Sequence, residues 1–153
     1  MRTRTLSAVI AACVIGLGAC ATPYQEMGFT GGVSATQLTA DTFQIVAEGN
    51  GYTSTATIER YALRKAAEVT IANGYDLFMI ASAADQGRVA GVMTNSQFNS
   101  YGNGGYASGY STPIFKPGQT MTVKTFKGSK PSDAPANLYD ARELLRYLVP
   151  PVP

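Results

Sequence analysis

The sequence predicts an α+β fold, a single small sheet of about four strands with two helices packed on it. The expected order is strand, helix, one or more strands, strand, helix. Three stretches carry that expectation. "DTFQIVAEG" alternates apolar and polar residues at the period of a strand. "TATIERYALRKAAEVTIAN" repeats its apolar residues at the period of a helix, and "LYDARELLRYL" does the same near the C-terminus.

Residues 20–40 are small and polar and contain glycine ("TGGVSATQLT"), the composition of a flexible tether. The domain is expected over 41–149. In "DTFQIVAEG" (41–49), Phe43, Ile45 and Ala47 alternate with Gln44, Val46 and Glu48, which makes a half-buried strand. "GNGYTS" (49–54) turns the chain, and Ser54 or Thr55 caps a helix over 55–73. On that helix Ile58, Tyr61, Ala62, Ala66 and Val69 share a side, widened by Leu63 and Thr70. Thr57, Arg60, Arg64 and Glu68 lie opposite, with Arg64 and Glu68 spaced for an i,i+4 ion pair. The small Ala62 and Ala66 let the helix approach a sheet closely. Lys65 falls inside the apolar arc, where its stem would snorkel; a buried catalytic lysine is the sharper alternative. Asn73-Gly74 stops the helix.

"YDLFMIASA" (75–83) is expected as a buried strand, apolar on both faces. "DQGR" (85–88) reads as a turn and "VAGVMT" (89–94) as a short pairing strand. Residues 99–111, "NSYGNGGYASGYS", read as a Gly/Ser/Asn loop carrying Tyr101, Tyr106 and Tyr110. Those tyrosines either stack on a sugar or a partner, or lie loosely on the domain. "TMTVKTFKG" (120–128) alternates as a strand, and "KPSDAPAN" (130–137) breaks it. The last helix is expected over 138–148 with Asn137 as its N-cap. Leu138, Ala141, Leu144, Leu145 and Leu148 turn inward, while Tyr139, Arg142, Glu143, Arg146 and Tyr147 face out. Tyrosine and arginine are enriched at interfaces, so Tyr139, Arg142 and Arg146 form a candidate partner face; a solvated face is the alternative. Residues 150–153 are a proline-rich tail.

The first nineteen residues carry Arg2 and Arg4, then an apolar run over 6–17, then small residues. That is the layout of a secretory signal, and the run is shorter than the roughly 20 apolar residues of a membrane span. Leu17-Gly18-Ala19-Cys20 resembles the bacterial lipobox, in which cleavage leaves the cysteine as the new N-terminus. The resemblance implies a diacylglyceryl group on the Cys20 thiol and an acylated amine, a firm anchor because two or more chains are buried. Alanine rather than aspartate at position 21 implies sorting to the outer membrane, facing the periplasm; the inner membrane and the outer surface stay open.

Composition narrows the chemistry. The chain has 12 basic and 10 acidic residues, and two of the bases lie in the leader, so the remainder balances and no basic footprint for nucleic acid is expected. Cys13 leaves with the leader and Cys20 takes lipid, so no intramolecular disulfide is expected. With no histidine at all, Cys/His zinc sites and His-based triads lack their key residue. No metal, cofactor or catalytic residue is assigned. Carboxylate chemistry stays available in principle, although the acids are scattered singly.

"GNGYTS" (49–54), "YALRKAAEVTIANGYDLFMI" (61–80) and "YDARELL" (139–145) together resemble a family of small alphaproteobacterial lipoproteins without assigned function. The resemblance implies an acylated Cys20 and a small α+β domain, and it transfers no catalytic residues. The expected function is therefore a non-enzymatic interaction or structural module of the cell envelope, bound to the bilayer through Cys20 and meeting an envelope protein or peptidoglycan. The alternatives are a glycan, peptidoglycan or small-ligand binder that uses the tyrosine loop and, more remotely, a carboxylate hydrolase.

Overall fold

A computed structural model describes residues 20–101 and 104–149. Strands β1 (Gly32–Thr39) and β2 (Thr42–Glu48) form a hairpin, followed by helix α1 (Thr55–Ala72) and strand β3 (Leu77–Asp85). Strands β4 (Arg88–Tyr101) and β5 (Gly104–Lys116) come next, then β6 (Gly118–Phe126), β7 (Leu138–Asp140) and helix α2 (Ala141–Leu148). The main sheet has five strands in the order β1-β2-β6-β3-β7, and β4-β5 form a separate two-stranded ribbon. The class is α+β as expected, with more strands than the four anticipated.

β6 pairs antiparallel with both β2 and β3, so those two run parallel and α1 is the crossover between them. The strand alternation explains the core. Phe43, Ile45 and Ala47 of β2, Met121 and Val123 of β6, Phe78 of β3 and Val33 of β1 are buried. They meet Ile58, Ala62, Ala66 and Ala67 of α1 and Ala141 of α2. Alanine at the centre of α1 removes side-chain bulk, so the helix sits close on the sheet. Ser54 caps α1 by accepting from the Thr57 N–H at 3.2 Å, and Gly74 takes φ +76° beyond its end. Among the described residues, every buried side-chain polar atom has a hydrogen-bond partner.

Four expectations change. Residues 20–40 are not a tether, because Gly32–Thr39 adds to the sheet edge through the register Gly32↔Glu48 to Thr39↔Thr42. Of the expected loop at 99–111, residues 99–101 lie instead in β4 and 104–111 in β5, paired from Arg88↔Lys116 to Tyr101↔Gly104, while 102 and 103 lie outside the described residues. The final helix starts at Ala141, since Leu138–Asp140 pairs with Leu77–Met79 of β3. Asp140, not Asn137, is the N-cap and accepts from the Glu143 N–H at 2.9 Å; the Asn137 amide donates to the Ile80 carbonyl. β3, expected to be buried, is buried at Leu77 and Phe78 but exposed from Ala81 onward.

Candidate functional site

Two residues after Cys20 the chain is already inside the fold. Thr22 is 2 % exposed. Its N–H donates to the Thr53 hydroxyl at 2.8 Å, and its own hydroxyl donates to the Thr30 carbonyl at 2.8 Å. That hydroxyl also accepts the Asn50 N–H at 2.9 Å, and the Thr22 carbonyl accepts the Tyr61 phenol at 3.2 Å. One position upstream of Ala21, the Asn50 side-chain amide donates to the Cys20 carbonyl at 2.7 Å.

The "GNGYTS" segment is thus a clamp, and each residue in it has a physical reason. A Cβ on Gly49 would lie 2.8 Å from Thr53 Cβ and 2.9 Å from Ile58 Cδ1. Asn50 holds Cys20 with its amide nitrogen, while its oxygen accepts from the Tyr52 N–H and the Thr53 hydroxyl, each at 3.0 Å. A Cβ on Gly51 would lie 2.8 Å from Ile114 Cγ2 at the base of the ribbon. Thr53 holds Thr22, and Ser54 caps α1. Tyr52 alone points away, 74 % exposed.

The rest of the N-terminal segment lies along α1. Tyr24 packs edge-on against Tyr61 with ring centroids 5.3 Å apart, and the Arg64 guanidinium sits 3.8 Å over its ring. Its phenol donates to Glu68 Oε2 at 2.5 Å, while Glu68 Oε1 accepts Arg64 Nε at 2.8 Å. Burial and that hydrogen bond to a carboxylate raise the Tyr24 phenol above its ordinary range, so it stays a donor. The expected Arg64–Glu68 pair is present. Lys65 is explained by the same segment: its side chain is 14 % exposed and its ammonium pairs with Glu26. The lysine therefore staples the N-terminal segment to α1.

The segment then turns at Gly28–Gly31, where each glycine N–H donates to the other's carbonyl at 3.1–3.2 Å. Phe29 stands at the tip, fully exposed. Gly31 and Gly32 have φ +100° and +140°, and a Cβ on either would meet backbone oxygen, at 2.4 Å (Glu48) and 2.5 Å (Glu26) respectively.

The ribbon rises from this same end of the sheet. Arg88 at its base pairs with Glu48 at 3.1 Å, at the end of β2 where the clamp begins. From Val89 to Phe115 the sequence has no charged residue. By register Asn95 faces Tyr110, Asn99 faces Tyr106 and Gly104 faces Tyr101, which puts positions 101, 106 and 110 on one face of the ribbon.

The other expected site residues are placed as follows. Cys20 is exposed at the start of the clamped segment. Leu17, Gly18 and Ala19 lie outside the described residues. Arg142 and Arg146 are one turn apart on α2, whereas Tyr139 belongs to β7 and stacks on Phe78 at 5.4 Å. Arg142 pairs with Asp76 at 2.7 Å. The trio is thus not one helical face. Asp140 and Glu143 share a hollow of about 130 Å³, but the Asp140 carboxylate is engaged in capping α2. Among the described residues no three His, Cys, Asp or Glu side chains gather, and no helix is long and apolar enough to cross a membrane.

Sequence reasoning missed the clamp on Thr22 and, beyond the short strand expected at 89–94, the ribbon beside it. The clue to the first was "GNGYTS" itself, whose Asn and Thr offer more hydrogen-bonding capacity than a simple turn requires. No protein-family model, curated protein or solved structure matches this chain.

Proposed function

We propose that this chain is an envelope lipoprotein, cleaved before Cys20 and anchored through it to the outer membrane with its domain in the periplasm, and that it acts as a non-enzymatic interaction module. The interacting element in this reading is the β4–β5 ribbon. The observation that supports it is a ribbon of 14- and 13-residue strands that pair with each other but with no strand of the main sheet. An isolated two-stranded ribbon is marginal in water, and its outer edges are rows of backbone donors and acceptors suited to another strand. Natural edges are protected by charge, yet none lies between Val89 and Phe115.

A second reading, binding of glycan or peptidoglycan, is favoured by the shared face of positions 101, 106 and 110. One variant tests both. Replacing residues 91–113 by a short Gly-Ser turn removes the ribbon and keeps its base. Loss of a reproducible protein cross-link in whole envelopes supports the first reading; loss of co-sedimentation with purified peptidoglycan supports the second. Retention of both rejects the ribbon as the interacting element.

A further inference from the structure

We infer that Phe29 and Tyr52 enter the lipid surface that holds Cys20, so that the clamp and the Gly28–Gly31 turn lie against the bilayer instead of standing off it; the inference rests on the anchored reading above. The geometry begins with the missing slack. A flexible stretch of 20 residues would span about 25 Å on average. Here the Cys20 carbonyl is already bonded to Asn50, and Thr22 is buried. Acyl chains on Cys20 therefore bring the clamp itself to the headgroups.

Two aromatic side chains flank that point on preformed turns. Phe29 is fully exposed at the tip of the Gly28–Gly31 turn, and the neighbouring Thr30 is held twice: its carbonyl by Thr22 and its hydroxyl by Gln25. Tyr52 stands out of the clamp loop with its N–H held by Asn50. Because both backbones are fixed, neither side chain has to be ordered on contact, which lowers the entropic cost of insertion. A ring with an apolar body, and in tyrosine a polar tip, suits the headgroup boundary. Of the acids beside these turns, Glu26 is paired with Lys65 and Glu48 with Arg88, while Asp85 accepts the Gly87 N–H.

The chain has no tryptophan, so Phe29→Trp and Tyr52→Trp each report alone. Leu38→Trp is the control, half-exposed near the opposite end of β1 and roughly 20 Å away along the strand. Each full-length variant is produced in its native membrane, checked by intact mass, and reconstituted in phosphatidylethanolamine/phosphatidylglycerol vesicles with and without brominated acyl chains. The expected result is blue-shifted emission, quenched by bromine, at positions 29 and 52 but not at 38. In the unlipidated chain, Phe29→Ser lowers partition into the same vesicles about tenfold.

Emission at 29 and 52 as unquenched as at 38, with acyl chains present on Cys20, overturns the inference and leaves the anchor standing. A blue shift without bromine quenching assigns the surface to a protein contact and also overturns it. If the mass shows no acyl chain, the anchored reading fails, and the same vesicles decide the inference for the free chain by quenching or its absence.

Discussion

Thr53→Val deletes one hydroxyl and leaves the side chain nearly the same size. In the folded chain that oxygen accepts the buried Thr22 N–H at 2.8 Å and donates to Asn50 Oδ1 at 3.0 Å. No water-exposed route offers the Thr22 amide another partner while the segment stays docked, since Thr22 is 2 % exposed. Leaving that donor unsatisfied and breaking the second bond together cost about 2–3 kcal/mol. Asn50 retains Tyr52 and Cys20, so the effect falls first on the docked segment and only then on the sheet. Amide exchange at Thr22 should accelerate roughly a hundredfold, with a smaller fall in the urea midpoint. Thr53→Ser, which keeps the oxygen, should restore most of the protection. Unchanged exchange at Thr22 in the valine variant would refute the clamp as the device that holds the N-terminal segment.

Other consequences are direct. Ile58→Ala, at a fully buried position beneath Gly49, should cost about 2–5 kcal/mol by urea unfolding. Gly31→Ala should destabilise the β1–β2 edge, because its Cβ would lie 2.4 Å from the Glu48 carbonyl oxygen; an unaltered unfolding midpoint would contradict this. The Gly128 N–H, followed by Arg142, holds the Asp76 carboxyl below its ordinary 3.8, and the Thr39 and Thr42 hydroxyls do the same for Asp41. Their stabilising contribution is complete above the unfolded value and is lost as pH falls through the lower folded values. Stability measured by urea titration should therefore drop below about pH 4, and an Asp76→Asn, Asp41→Asn variant should show a shallower drop.

The elements that bury a face were legible. β2, α1 and β6 each carry an apolar stripe whose period names the element, and those stripes build the core. β1 was hidden because five of its eight residues are Ser, Thr, Gly or Gln and its second half is exposed. It joins the sheet through backbone pairing with β2, which leaves little mark in composition. Of the ribbon only the start was legible, as the short strand at 89–94; Gly, Ser and Asn are poor strand formers, so 99–111 read as a loop. β7 merged into the helical period of α2, although Asp140 with Glu143 three residues on is a capping signature that marks the true start. The clamp on Thr22 links residues about thirty apart by polar contacts, a distance over which no local pattern operates.

The anchored reading depends on Cys20. The most direct test is the intact mass of the membrane-extracted protein beside a Cys20→Ala variant. The expected result is a mature chain beginning at Cys20 with a diacylglyceryl group and an amide-linked acyl chain, both lost in the variant. A chain of unmodified mass, identical in behaviour to the variant, would contradict it.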